Sequence, residues 1–440
     1  MPIGTYYFTK GFLWGTATAA QQVEGRNFNN TWSAWEQEDG RILEGGKAGL
    51  ACDWWGGRWR EDFDRAQAAS QNAHRLSIEW SRIQPAPDRW DEEALDHYRE
   101  MLIGLRERKM TPMVTLHHFS EPLWLAEMGG WENEAVCELF TAFVRKSVSA
   151  LMPYCRLWVP INEPNVFAFN AYVEGVFPPG KQDVKAALLV LQHMVQAHAR
   201  AYHVIHELQP EARVGTAIHY RGFQPATWLP VDRWAAKAHH KLFNESFTRA
   251  LHDGVFDVVY KKAALPEAAG TQDFLGLNYY TNDHVRFNPL APGAFFTRRF
   301  FPEGALLSET GMIAHAPGGL IDAVKWGYRF GVPMIITENG VDDGEDDLRP
   351  QYILEHLHAL WQVINDNYPI EGYFHWTLVD NFEWERGWTQ HFGLWGLDRE
   401  TQARLRRPSA ELYAEICRTN GISSSFVEKY APQVMQTLFP

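Results

Sequence analysis

The 440-residue sequence predicts an α/β fold, in which eight parallel strands and the helices between them close into a single (β/α)8, or TIM, barrel. Short runs rich in apolar and β-branched residues alternate with longer segments of helical periodicity, which is the pattern of repeated βαβ units. No Gly-x-Gly-x-x-Gly turn follows the first run, as it often does in a doubly wound open sheet. Long connections rich in Gly, Pro and Asn follow several runs, at residues 27–57, 177–184 and 281–317.

The predicted elements can be placed in chain order. The strands are residues 12–19, 75–80, 112–117, 157–161, 213–219, 274–279, 333–337 and 372–378. Helical spacing of apolar residues occurs at residues 91–109, 134–151, 184–207, 320–330 and 350–367. The strand-to-helix loops of such a barrel form its active-site face. No linker or repeat marks a second domain, so we predict one catalytic domain over residues 1–440, with residues 425–440 as a tail of unassigned role.

Composition narrows the class of function. The formal charge of −13 and the lack of a long basic run argue against a nucleic-acid partner. Aromatic residues make up 14%, enough for rings to line a cleft that stacks on sugars. Four scattered cysteines, with neither a signal peptide nor a membrane span, favour a soluble cytoplasmic protein. We predict no cofactor, no metal and no membrane partner, and we leave open whether the chain forms a homo-oligomer.

Two glutamates follow predicted strands on opposite sides of the barrel. Glu163 follows the fourth strand and Glu338 the seventh, each beside an Asn and before a residue that ends strand pairing. Both side chains would therefore face the central cavity. Two such carboxylates can cleave a glycosidic bond with retention, one as nucleophile and one as acid, when about 5 to 5.5 Å separates them. A single strand-end Glu is more often structural, but two at complementary strands favour catalysis.

Several motifs resemble those of glycoside hydrolase family 1, the β-glucosidase and β-galactosidase family. Asn162-Glu163-Pro164 and Thr337-Glu338-Asn339-Gly340 are similar to the family's acid/base and nucleophile motifs. Other matches follow in order at residues 12–25, 75–82, 276–280 and 376–384, and the resemblance extends from about residue 8 to about residue 420. It implies a retaining exo-β-glycosidase that acts on terminal β-glucosyl, and also β-galactosyl or β-fucosyl, residues, with Glu163 as acid/base and Glu338 as nucleophile.

The same resemblance implies roles for residues around the two glutamates. Residues that match the sugar-binding positions are Gln22, His118, Trp376, Glu383, Trp384 and Phe392. Residues that match positions supporting catalysis are Arg75, Asn162, Asn278 and Tyr280. We expect Arg75 to keep the nucleophile ionised. A negative charge on Glu383 would repel a phosphorylated sugar.

His117 and His118 raise the alternative of a metal site. Adjacent residues of a strand point to opposite faces, so only one of the two can face the barrel interior. We therefore predict that His118 hydrogen-bonds a sugar hydroxyl as a neutral ring and that His117 packs outside. The Trp376-Thr377 bond matches a step that is cis in the family.

Departures from the commoner bacterial pattern resemble the archaeal-like branch of the family. They are Glu79, Asn165 and the run His117-His118-Phe119. They bear on the aglycone-side contacts and leave the predicted glycon contacts intact. Three alternative functions stay open: a transglycosidase that uses the same covalent intermediate, a non-catalytic sugar-binding barrel, and a metal-dependent barrel hydrolase.

Overall fold

A computed structural model describes residues 4–258, 261–291 and 295–440. Eight parallel strands form its centre, and each strand pairs with the next one in the chain. Pairing of the eighth strand with the first and of the fifth with the sixth completes a closed ring. The strands are β1 (Leu13–Ala17), β2 (Ala73–Ser77), β3 (Thr111–His117), β4 (Leu157–Ile161), β5 (Arg213–Pro225), β6 (Phe274–Phe287), β7 (Met334–Asn339) and β8 (Ile370–Trp376). The predicted barrel is confirmed.

Helices cover the outside of the barrel. They are α1 (Trp59–Ala68), α2 (Glu92–Glu107), α3 (Val136–Leu151), α4 (Val184–Leu208), α5 (Ser246–Asp253), α6 (Pro317–Tyr328), α7 (Arg349–Asn365) and α8 (Pro408–Thr419). Local chemistry fixes their starts: the Asp91 and Asp183 carboxylates accept first-turn N–H groups of α2 and α4. Pro317 and Pro350 occupy the first turns of α6 and α7, where a missing N–H costs nothing. All five predicted helices are confirmed within a few residues.

Shorter elements complete the connections. The additional helices are Ala20–Val23, Thr31–Trp35, Trp80–Ile83, Leu123–Glu127, Pro164–Phe169, Pro230–His240, Ser424–Tyr430 and Met435–Leu438. The additional strand pairs are Thr5–Tyr7 with Gly421–Ser423, Val255–Val258 with Lys261–Ala264, Trp395–Leu397 with Arg404–Arg406, and Thr297–Phe300 with β6. Within the described ranges, no helix is long and apolar enough to cross a membrane.

Strands β5 and β6 are longer than predicted. The sequence predicted that they end at residues 219 and 279, but their pairing continues to Pro225 and Val285 beyond an irregularity between Tyr220 and Gly222. Part of the connection predicted at residues 281–317 is therefore strand. Alternate residues of this extension are buried, which is the pattern of a strand with one covered face. The extension forms a wall that rises above the barrel at the carboxyl ends of the strands.

The C-terminal tail packs on the N-terminal segment. Phe439 stacks on Tyr6 with ring centroids 4.5 Å apart, and the Tyr6 hydroxyl donates to the Leu438 carbonyl. Just before the tail, the Asn420 side chain accepts a hydrogen bond from Trp14 Nε1 at 2.9 Å. These contacts lie near the start of β1, so they leave the carboxyl ends of the strands open.

Candidate active site

A cavity of about 860 Å³ opens at the carboxyl ends of the barrel strands. Its lining includes these residues singled out in the sequence: His118, Glu163, Tyr280, Glu338, Trp376, Glu383, Trp384 and Phe392. The remaining members of the predicted set lie behind this lining and hydrogen-bond to it: Gln22, Arg75, Asn162 and Asn278. The structure thus brings the whole predicted set together.

Glu163 occupies the turn that follows β4. Its backbone has φ +41°, in the left-handed region that residues other than Gly seldom adopt, and Pro164 begins a short helix immediately after it. The Glu163 N–H donates to the Ala217 carbonyl of β5 at 2.7 Å. This bond anchors the turn to the neighbouring strand, and the side chain lies in the cavity.

Two side chains hydrogen-bond to one oxygen of the Glu163 carboxyl. Asn278 Nδ2 donates to Oε1 at 2.8 Å, and His219 Nδ1 lies 3.2 Å from the same atom. Sequence reasoning missed His219. The available signal was its position, because it is the last residue of the predicted fifth strand, where barrel enzymes place functional groups.

The Glu338 carboxyl, at the end of β7, is held on both oxygens. Arg75 Nη1 donates to Oε1 at 2.5 Å, and the Tyr280 hydroxyl donates to Oε2 at 2.7 Å. Burial raises the pKa of Glu338 to about 7; Arg75 and Tyr280 lower it, and the Glu163 carboxylate adds to the rise. Arg75 thus acts in the expected direction, because it favours the ionised form of Glu338 against the effect of burial.

A hydrogen-bond network connects the two carboxyls. Arg75 Nη2 donates to Asn162 Oδ1 at 2.5 Å, and Asn278 Nδ2 lies 3.4 Å from that oxygen while it donates to Glu163. Asn162 Nδ2 lies 3.0 Å from His118 Nε2. Burial, and then Arg75, lower the pKa of His118 well below its usual value, so the ring is neutral near pH 7. This agrees with the neutral ring predicted from the sequence.

One side of the cavity, which we call the β8 wall, is formed by Trp376, Glu383, Trp384 and Phe392, with Gln22 behind them. Gln22 Nε2 donates to Glu383 Oε2 at 2.9 Å. Burial, and then the nearby Glu385, raise the pKa of Glu383 to about 8. Burial therefore opposes the negative charge that the sequence predicted for Glu383 and favours its protonated form.

Two further expectations about this region are confirmed. The Trp376-Thr377 peptide bond is cis. The buried His117 ring packs edge-on against Trp131 and Phe167, and its Nε2 accepts from Trp131 Nε1 at 3.2 Å, so it is separate from His118 and its partners. In the described part of the chain, no three His, Cys, Asp or Glu side chains are arranged to hold a metal ion.

The opposite side, which we call the β5–β6 wall, carries charged residues that sequence reasoning missed: His219, Arg221, Asp283 and Arg299. Arg221 donates through two nitrogens to Asp283, both at 2.7 Å. Arg299 lies 3.6 Å from Asp283 and 3.9 Å from Glu174, and its guanidinium is 5.3 Å from the centre of the Phe169 ring. His219 ends the predicted part of β5, whereas Arg221 and Asp283 lie in the extended parts of β5 and β6 and Arg299 lies in the Thr297–Phe300 strand.

Known proteins share both the fold and the sequence pattern. A β-glycosidase structure from Pyrococcus horikoshii is 34% identical, with a TM-score of 0.90 over 97% of this chain and 98% of that one. A family 1 β-glucosidase structure from Thermotoga maritima gives a TM-score of 0.91 at 29% identity, over 95% of this chain and 99% of that one. Thermotoga maritima β-glucosidase A is 31% identical over 94% of this chain and 98% of its own length.

The family model described as glycosyl hydrolase family 1 matches residues 5–422. This match covers the barrel and both carboxyls at the ends of β4 and β7. The relatives include both a bacterial and an archaeal protein, in line with the resemblance seen in the sequence. The chain is a glycoside hydrolase of the β-glucosidase type and belongs to glycosyl hydrolase family 1.

Proposed function

We propose that the chain is a retaining exo-β-glycosidase, with Glu338 as nucleophile and Glu163 as general acid/base. The observation that carries this proposal is the contrast between two carboxyls in one cavity. Glu338 is fixed on both oxygens by a guanidinium and a phenol, whereas both donors to Glu163 contact a single oxygen. The environment of Glu338 suits a group that attacks in one orientation, and the environment of Glu163 leaves its Oε2 free to exchange a proton.

The reaction follows in two displacement steps. Glu338 attacks the anomeric carbon while Glu163 passes its proton to the leaving oxygen, which gives a covalent glycosyl-enzyme. A water molecule then attacks the same carbon, returns a proton to Glu163 and releases Glu338. The starting state needs one proton on the pair, and two nearby buried carboxyls favour that state because a doubly charged pair would repel itself.

The substrates we propose are small β-glycosides with a terminal glucosyl residue, and galactosyl or fucosyl residues as further candidates. Flat rings of Trp376 and Trp384 lie in the β8 wall beside polar groups of Gln22, His118 and Glu383, which suits one face and the hydroxyls of a pyranose. Arg386 is the one cation among the described residues that line this side of the cavity, and it is paired with Glu385. This favours an unphosphorylated sugar. We also propose a single catalytic domain acting in the cytoplasm.

A panel of nitrophenyl glycosides tests this proposal, with the anomer of the first product followed by NMR. We expect hydrolysis of β-glucoside and little of α-glucoside, with the β-anomer of glucose appearing before mutarotation. Preference for α substrates, or initial release of the α-anomer, would contradict a retaining β-glycosidase. An initial α-anomer from a β substrate would also mean that the two carboxyls act at a separation beyond about 6.5 Å, as inverting sites do.

A further inference from the structure

We propose that His219 is a positioning residue for Glu163, which holds the carboxyl so that Oε2 is the atom that gives its proton to the leaving oxygen. This inference rests on the proposed function, because it requires Glu163 to be the acid/base. His219 lies outside every motif that the sequence analysis recognised.

The orientation of Asn278 determines which Glu163 oxygen can carry the proton. Thr337 Oγ1 donates to Asn278 Oδ1 at 2.6 Å, so the amide nitrogen is the atom that faces Glu163. That nitrogen lies 2.8 Å from Oε1 and can only donate. Oε1 therefore accepts, and because the carbonyl oxygen of a protonated carboxyl is the stronger acceptor, the acid form of Glu163 carries its proton on Oε2.

His219 adds a second donor to the same oxygen. It is the register partner of Asn278 across the β5–β6 pairing, and its Nδ1 lies 3.2 Å from Oε1. Since Oε1 accepts, Nδ1 carries the hydrogen. The other ring nitrogen, Nε2, is buried and has no hydrogen-bond partner in the described residues. The polar contact of this ring is thus directed to Glu163.

The surroundings of His219 fix its ring. The ring stacks on Tyr280, with centroids 5.6 Å apart and planes at 20°, and meets Phe243 edge-on at 5.8 Å. Asn165 Nδ2, one of the departures from the bacterial pattern, donates to the His219 carbonyl at 2.8 Å. The ionisable groups that face this position are Glu163, Arg221, Tyr280, Asp283 and Glu338.

Donors on Oε1 have a direct chemical consequence. When the glycosidic bond breaks and the Oε2 proton moves to the leaving oxygen, negative charge develops on the Glu163 carboxylate. Hydrogen bonds that are already in place stabilise that charge without reorganisation. In the second step, water supplies its proton to Oε2 as its oxygen bonds to carbon and Glu338 departs. His219 is expected to matter most where proton donation is needed most, which is with poor leaving groups.

The variants His219→Asn and His219→Leu separate this role from simple packing. An Asn side chain places its amide nitrogen near the site of His Nδ1, whereas Leu has a similar shape and no donor. We measure kcat/KM with 2,4-dinitrophenyl β-glucoside, which needs no proton, and with methyl β-glucoside, which does. In His219→Leu, kcat/KM is expected to fall roughly 10- to 30-fold for the methyl glucoside, because one hydrogen bond to a developing charge is lost. For the dinitrophenyl glucoside it is expected to fall less than about 3-fold. His219→Asn should stay within about 3-fold on both.

Equal losses of His219→Leu on both substrates would overturn the positioning role, and so would unchanged kinetics. Glu163→Ala serves as the reference, because its loss of kcat/KM must also be larger for the methyl glucoside than for the dinitrophenyl glucoside, and by a greater factor than in His219→Leu. If Glu163→Ala lacks that selectivity, the proposed function has failed; if only His219→Leu lacks it, the failure belongs to the His219 inference. Thermal melting checks that each variant folds, and His219→Ala replaces the Leu variant if it does not.

Discussion

The two walls of the cavity differ in whether their residues could be predicted from the sequence. The β8 wall and its partner Gln22 come from short motifs at the ends of β1 and β8, and the sequence predicted each of them. The β5–β6 wall is built from His219, Arg221, Asp283 and Arg299, and the sequence predicted none of these. The β8 wall would bind the glycon in the proposed function, and the β5–β6 wall lies beside the acid/base. The comparison shows that the sequence located the side of the cavity proposed to bind the glycon, and that only the structure located the side beside the acid/base.

The largest effect expected is at Glu338, which ends β7, the strand between the two walls. Glu338→Ala should lower kcat/KM for 4-nitrophenyl β-glucoside by at least about 10⁴-fold, because no covalent intermediate can form. Azide, which is small and nucleophilic, should restore turnover of an activated substrate and give the α-glucosyl azide, identified by NMR. Glu267→Ala, at an exposed position, is the matched control and should leave the rate unchanged. Normal hydrolysis by Glu338→Ala would refute the assignment.

Arg75 should give the next largest effect. Arg75→Met removes the cation that opposes the rise in the Glu338 pKa, so the acidic limb of kcat/KM should move to higher pH than in the wild type. Only ionised Glu338 attacks, and activity therefore appears as pH rises through that pKa. We expect a loss of roughly 10²-fold at pH 7, from one lost electrostatic contact, that shrinks at higher pH. Arg75→Lys keeps the charge and should shift the limb less. A shift to lower pH would contradict this electrostatic role.

Glu383 provides a smaller and pH-dependent effect. Its pKa of about 8 means that at pH 6 the wild-type carboxyl is neutral and resembles the amide of Glu383→Gln. We expect this variant to raise the inhibition constant of glucose by less than about 3-fold at pH 6. At pH 9, where the wild type offers a charged acceptor, the factor should reach roughly 10-fold. Inhibition measurements across this range check the trend, and a factor independent of pH would contradict a change in the charge of Glu383 between pH 6 and pH 9.

The sequence predicted features that depend on residues close together in the chain and missed features that depend on distant contacts. Strand and helix periodicity predicted the barrel because each element satisfies its own hydrophobic pattern locally. Glu163 and Glu338 were predicted because each ends an apolar strand beside a turn residue. His219 was missed although it also ends a strand, since its function depends on register with Asn278, a pairing of residues far apart in sequence. The high pKa values of Glu338 and Glu383 were missed because burial is a property of the assembled cavity.

The smallest effect we predict concerns Arg299, and it tests whether the two walls act separately. This guanidinium is one-third exposed, and its ion-pair distances of 3.6 and 3.9 Å are long, so its removal should cost little stability. It lies in the β5–β6 wall beside Phe169, where an aryl leaving group would pack. Arg299→Ala should therefore raise KM for 4-nitrophenyl β-glucoside by about 2- to 5-fold, the size of a partly exposed cation–π contact, and leave inhibition by free glucose unchanged. Arg286→Ala removes a charge from an exposed position of β6 outside the cavity lining and is the matched control. A parallel change in glucose inhibition would mean that the walls are coupled, because glucose alone has no aglycone to contact Arg299.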